Sequence, residues 1–328
     1  MKILAIKARR LGDTVIWTSA LEALSSLHPD VLDIAYPEIY RELFHSDPRV
    51  HEQFLLKSTL IENLKWRHYW KKKKYDWVIA FHASGSSRLL ALSASAKNQV
   101  IHFHNRPAKK AWGSAEIPNL GVVMSAIERD LNAVRALGWQ GSSPSTKIYF
   151  SKPTSPKARI VFGLGASRVS KLWPLEYFVK LAKNLSVELP GIELAFNYES
   201  EEVFARNPAY KIELSRYGTL SPTQNLKELM ALLSNSQFYI GSDSGVKHLA
   251  IALGLKSLTL FGPESIGEWH GYRLDRNPAL QIDLTCRDND ADNKNFAWCG
   301  AERCPHGSHA CMNLLLPEEV VAVVKKTL

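Results

Sequence analysis

A chain of 328 residues, 45% of them hydrophobic, can bury a sizeable core, and its length favours two domains over one. Four cysteines are too few for a disulfide scaffold, and no apolar run approaches the roughly 18 residues of a membrane span. The net charge of +9 lies almost wholly in residues 1–150, with 21 Lys and Arg against 13 Asp and Glu, a bias that suits nucleic acid, an acidic glycolipid or a membrane surface and equally a lysine-rich soluble face.

Residues 2–8 (KILAIKA) read as a buried strand, followed by a loop over 9–13 and a helix from Thr14 to about Leu27. The N-terminus turns basic directly after that short apolar run, unlike a secretory signal, so a cytoplasmic location is expected. Gly12 permits a tight turn, and Asp13 and Thr14 are N-cap types. Asp13 is therefore either a cap or a carboxylate at the C-terminal end of the first strand, where open α/β sheets place their active sites. Short strands at 33–36 and 53–56 flank a helix over 37–44. In residues 65–74 (KWRHYWKKKK) basic and aromatic side chains interleave, a pattern that fits base stacking, phosphate or lipid contact, or a solvated helix end. Residues 76–81 form another buried strand, trailed by a polar loop over 82–88. A further strand at 100–103 precedes the basic loop 106–110, and a helix over 128–137 ends at Gly138.

Residues 151–157 contain two prolines and no apolar side chain, which marks a linker between domains 1–150 and 151–328. A second βα series opens behind it, with a strand at 160–164, a small-residue and basic loop at 165–171, and a helix beginning at Pro174. The next strand, 193–196, has Glu199, Glu201 and Glu202 past its end. Residues 217–220 and a helix over 225–233 lead to residues 236–265. There an apolar run (238–240) stops at Gly241, the polar elbow 242–245 follows, a helix runs to Gly254, and a strand closes at Gly262-Pro263. Small polar residues fringe that helix start, whose free N–H groups and dipole suit phosphate. The βαβαβ order in both halves implies two doubly wound domains.

Four separated segments, KILAIKARRLGDTVIWTSALEAL, GLGASRVSKLWP, SDSGVKHLAIALG and LTLFGP, resemble the bacterial glycosyltransferases of family 9, whose best-known members are heptosyltransferases of lipopolysaccharide core assembly. The resemblance implies an α/β, GT-B fold of two Rossmann-like doubly wound domains facing a central cleft, with the last helix free to pack back on the first domain. It implies an acceptor on domain 1–150, an ADP-heptose donor on domain 151–328, and inverting displacement with no catalytic metal and no cofactor. Asp13 matches the family's general base and Lys171 the cation on the leaving diphosphate. Donor contacts fall on Gly165, Ser167, Lys171, Asp243, Ser244, Gly245 and His248, with Glu199 or Glu201 on the ribose. Gly12, Lys65, Arg67, Arg88, Arg106, Lys109 and Lys110 are candidates for the anionic acceptor.

The chain departs from the family pattern at Lys247, which either adds a diphosphate contact or faces solvent. It also gathers Cys286, Cys299, Cys304 and Cys311 late in the sequence. Their spacing lacks paired C-x2-C knuckles, so reduced packing cysteines are expected ahead of a zinc site or a disulfide. The leading expectation is a heptosyltransferase peripheral to the inner membrane, acting on Kdo-lipid A, with no nucleic acid partner. Its rivals are a family 9 enzyme using another nucleotide sugar or a protein or capsule acceptor, and a single-stranded nucleic-acid-binding protein using the segment 65–74. A dinucleotide-dependent oxidoreductase is disfavoured because no G-x-G-x-x-G follows a strand.

Overall fold

The computed structural model describes residues 1–82, 85–101, 115–116, 124–287 and 298–328. The chain divides into two compact units, 1–149 and 150–328. The first contains β1 (Lys2–Ile6), α1 (Leu11–Ile16), α2 (Thr18–Ser25), β2 (Val31–Pro37), α3 (Arg41–Phe44), β3 (Glu52–Leu56), α4 (Leu60–Asn63) and α5 (Trp66–Lys73). It continues with β4 (Trp77–Ala80), α6 (Gly85–Ser93), β5 (Asn98–Ile101), β6 (Ala115–Glu116) and α7 (Ala126–Arg135). The second opens with β7 (Arg159–Gly163), α8 (Leu175–Glu188), β8 (Glu193–Tyr198), α9 (Ala209–Ser215), β9 (Thr219–Pro222) and α10 (Leu226–Ser234). It closes with β10 (Phe238–Ser242), α11 (Gly245–Ala252), β11 (Lys256–Phe261), α12 (Ile266–Trp269), β12 (Ala279–Gln281), α13 (Ala310–Asn313) and α14 (Pro317–Thr327).

Among the described residues each unit is built on a six-stranded sheet, ordered β3-β2-β1-β4-β5-β6 in the first and β9-β8-β7-β10-β11-β12 in the second. All neighbouring strands pair in parallel. Both follow the 3-2-1-4-5-6 order of a doubly wound Rossmann-like sheet, as the alternating βα pattern implies. Central strands covered on both faces need continuous apolar runs, and KILAI, WVIA, RIVFG and FYIGS supply them.

Several local expectations are corrected. The first helix starts at Leu11, so Gly12 and Asp13 lie in its first turn and Asp13 is no cap. Thr14 instead turns its hydroxyl back to the Arg9 and Arg10 carbonyls at 3.3 and 3.0 Å, which a short side chain achieves without leaving the helix. Residues 85–88 are helical rather than loop, which places Arg88 on α6. The edge strand β12 has three half-buried residues, too few for a periodic signal. The last helix buries Val320 and Val324 in the core of the second unit, in one cluster with Ile160 and Phe178.

The basic and aromatic segment is also a structural element. α5 packs Trp70, fully buried, and Trp66 edge-on against Phe54 of β3, at 5.6 and 5.1 Å between ring centroids. These indoles are part of a core and are not presented for base stacking, while Lys71 and Lys72 remain exposed.

Gly241, read from the sequence as the end of a strand, lies inside β10 opposite Gly163 of β7. The pair leaves a slot for the buried Tyr239 ring: a Cβ at Gly241 would stand 2.5 Å from the Tyr239 hydroxyl oxygen, and one at Gly163 would run into it. Gly241→Ala should therefore cost about 1–3 kcal/mol in urea unfolding, by over-packing, with part of the loss recovered in a Tyr239→Phe background.

Candidate functional site

Strand order reverses between β1 and β4 in the first sheet and between β7 and β10 in the second. At such a reversal the loops leaving two adjacent strands part to opposite faces, opening a crevice beyond their C-terminal ends. In the second unit the loop leaving β7 passes through Gly165 and Ser167, both exposed, into a short 3-10 turn ending at Lys171. The chain leaving β10 delivers Asp243, then Ser244, whose hydroxyl caps α11 by accepting from the Lys247 N–H.

These two loops meet through an ion cluster. Lys171 Nζ donates to Asp243 Oδ2 at 2.8 Å, and Lys247 Nζ donates to Asp243 Oδ1 at 2.7 Å. His248 Nε2 lies 3.9 Å from the same Oδ1, and its Nδ1 is 2.6 Å from the Tyr272 hydroxyl. Lys171 is also 3.7 Å from Glu264, which pairs with Arg168 of the same loop. Burial favours the neutral Asp243 carboxyl, but Lys247 and Lys171 together outweigh it and hold its pKa well below the usual range. Burial pushes the Lys247 ammonium down to about 8 against the pull of Asp243. Burial and the adjacent Lys247 charge push His248 far down, so the ring is neutral near pH 7.

Lys247 corrects both readings open from the sequence, because its side chain is fully buried and spent on Asp243. The signal was the i,i+4 spacing from Asp243. Glu201 accepts from the Tyr198 hydroxyl at 3.1 Å and is held by Lys211 at 2.8 Å through both oxygens, whereas Glu199 is exposed just past β8. Arg168, Glu264 and Tyr272 were not foreseen; Glu264 directly follows the Gly-Pro turn after β11.

The late cysteine segment has a mechanical part here. Ser170, next to Lys171, donates its N–H to the Glu302 carbonyl at 3.1 Å and its hydroxyl to the Ala301 carbonyl at 2.5 Å, and its own carbonyl accepts from His309 Nε2 at 2.7 Å. Arg168 donates to the Gly300 carbonyl at 2.7 Å. The four cysteines are free thiols lining one cavity of about 30 Å³, and burial raises Cys311 to about 11.

At the reversal in the first unit, Asp13 has a mostly covered side chain 3.7 Å from Arg9 Nε. Beside it, Lys7 donates to both oxygens of Asp130 on α7, at 2.9 and 2.7 Å, a buried pair the sequence reading missed. The signal was a lysine inside an otherwise apolar strand run. Burial, then Arg9 and Lys7, push His82 down to about 4. Gly12 precedes Asp13 in the same turn. Lys65 and Arg67 are exposed at α5 beside the edge strand β3, away from the β1/β4 reversal, and Lys65 Nζ lies 4.8 Å from the Trp66 ring centroid. Arg88 is half-buried on α6, and Arg106, Lys109 and Lys110 lie outside the described residues.

Residues 64–295 match the family model described as glycosyltransferase family 9 (heptosyltransferase). Lipooligosaccharide heptosyltransferase 2 of Campylobacter jejuni is 25% identical over 99% of this chain and 99% of its own. Among solved structures, the glycosyl transferase family 9 protein of Veillonella parvula superposes with TM-score 0.75 at 18% identity, covering 99% of this chain and 96% of that one. Escherichia coli heptosyltransferase WaaC, solved with ADP-2-deoxy-2-fluoro heptose, gives TM-score 0.74 at 17% identity over the full length of both. The structural likenesses establish the fold as GT-B. No helix among the described residues is long and apolar enough to cross a membrane.

His270, buried and donating from Nε2 to the Asn277 carbonyl at 2.6 Å, is pushed down to about 4 by burial and then by Lys247. Its folded pKa lies below the unfolded value, so as pH falls the unfolded chain takes the proton first. Stability should be full above about pH 6.5 and decline toward pH 4, and urea midpoints across that window should fall less steeply in His270→Gln.

Proposed function

The chain belongs to glycosyltransferase family 9, and from that premise we propose that it moves heptose from ADP-heptose to the Kdo/heptose inner core of lipopolysaccharide. The first unit takes the acceptor and the second the donor. The observation that carries the donor assignment is the Lys171–Asp243 contact at 2.8 Å, which joins two loops at the β7/β10 reversal.

Transfer is by inverting, metal-independent displacement. The acceptor hydroxyl becomes acidic only as it bonds to the anomeric carbon, so its proton needs a carboxylate at hand, and Asp13 accepts it. The glycosidic bond to the ADP oxygen breaks as the new bond forms, and negative charge grows on the diphosphate. Lys171 and the backbone N–H groups at Ser244 and Gly245 balance that charge from fixed positions, which a flexible solvent shell does only after reorganising. Asp243 and His248 meet the donor sugar, Gly165 and Ser167 let the loop backbone approach the phosphates, and Glu199, free of the Lys211 clamp that holds Glu201, takes the ribose.

The acceptor's Kdo carboxylates and phosphates meet Gly12 and the basic side chains Arg88, Arg106, Lys109 and Lys110. Lys65 and Arg67, at the outer edge of the sheet, serve contact with the anionic inner-membrane surface from the cytoplasmic side, where each lysine or arginine contributes about 1 kcal/mol.

ADP should be released when the full chain meets ADP-heptose and Kdo-bearing lipid A. Asp13→Ala should lower kcat by about 10²–10⁴ while the calorimetric donor Kd stays within about twofold. Full turnover in that variant would remove Asp13 as the base. In a thermal-shift screen ADP-heptose should raise Tm, and a rise with a different nucleotide sugar alone would replace the donor.

A further inference from the structure

A helix ordinarily spends its buried positions on apolar side chains, because an ammonium taken out of water costs several kcal/mol unless it is well paired. α11 nevertheless buries Lys247 completely. Its ammonium donates to Asp243 Oδ1 at 2.7 Å and to the Trp269 carbonyl at 2.9 Å. The ring centroids of Phe261 and Tyr272 lie at 4.9 and 6.0 Å, so the ammonium also rests against aromatic faces.

Asp243 thus holds two cations, one on each oxygen, and the two are not equivalent. Lys247 is anchored on a helix, sealed from solvent, with a second fixed acceptor in the Trp269 carbonyl. Lys171 ends a short 3-10 turn, retains some solvent exposure, and has another acid, Glu264, 3.7 Å away. A phosphate arriving at this loop competes with Asp243 for Lys171. Were Lys171 the sole partner of Asp243, its departure would strand a buried carboxylate, and the pair would resist opening.

We propose that Lys247 is a positioning residue that keeps the Asp243 carboxylate ionised and fixed while Lys171 leaves it for the donor diphosphate. The inference rests on the nucleotide-sugar reading of this site. It explains why a lysine is buried where a methionine would pack: the second ammonium makes the first one available. The Lys247 charge persists at neutral pH, since burial lowers its pKa only to about 8.

The test is a double-mutant cycle on the full chain, read by calorimetry with ADP alone, so that lost sugar contacts do not enter. Lys247→Met should weaken ADP binding by about tenfold or more, because Lys171 is then retained by Asp243. In an Asp243→Asn background, where no carboxylate competes, the same substitution should change ADP affinity by less than about twofold. With ADP-heptose as substrate, Lys247→Met should raise KM by the same factor and leave kcat within about threefold. Should Lys247→Met fail to fold, Lys247→Gln, which keeps a donor and drops the charge, carries the same comparison. Equal losses in both backgrounds would make Lys247 a packing residue and overturn the proposal. So would unchanged ADP affinity in Lys247→Met beside a wild type that binds. A wild type that binds no ADP overturns the nucleotide-sugar reading itself, and the inference with it.

Discussion

An ionised carboxylate removed from water, Asp243, sets the terms for the second unit. Leaving such a group buried and unpaired costs several kcal/mol, so the fold has to bring cations to it. β10 delivers Asp243 to the end of the sheet, the loop from β7 brings Lys171, and α11 turns Lys247 back by one helical turn. The Gly163–Gly241 pairing that admits Tyr239 is part of the same arrangement, since it lets the two strands carrying these loops run side by side to their last residues. Outside that ring, the segment ending at His309 holds Ser170 through three hydrogen bonds and so fixes the turn that presents Lys171.

The two units use one topology for opposite electrostatic ends. In the first, the buried pair Lys7–Asp130 is closed on itself, and Asp13 lies 3.7 Å from Arg9 Nε. On the proposed reading, Asp13 takes the acceptor proton there. In the second, the carboxylate is saturated with cations, one of which is on a loop. On the proposed reading, Lys171 meets the developing negative charge there. Identical strand order, 3-2-1-4-5-6 in each sheet, puts both at the point where the order reverses.

The alternation of apolar runs with helical periodicity made the strands, the two-unit division and the doubly wound class legible in the sequence. Parallel strands buried on both faces have to be continuously apolar, and no other fold class writes that pattern so often. The segments carrying Lys171, Asp243 and His248 were legible as motifs. What escaped were features decided by three-dimensional packing. Gly241 reads as a strand end because its role, yielding space to Tyr239, is invisible along the chain. Trp66 and Trp70 read as candidates for stacking because only the fold shows Phe54 against them. Lys7 and Asp130 stand 123 residues apart, and no local rule pairs them. Lys247 was ambiguous because a charged residue on a helix usually faces water, and here a carboxylate one turn away reverses that preference.

The central claim is that the β7/β10 reversal binds the diphosphate of a nucleotide sugar by drawing Lys171 off Asp243. A crystal structure of the full chain with ADP measures this directly. The account predicts the β-phosphate within about 3 Å of Lys171 Nζ and of the N–H groups at Ser244 and Gly245, with Asp243 still bonded to Lys247. A nucleotide seated elsewhere, or one at this loop with Lys171 still paired to Asp243, would contradict it.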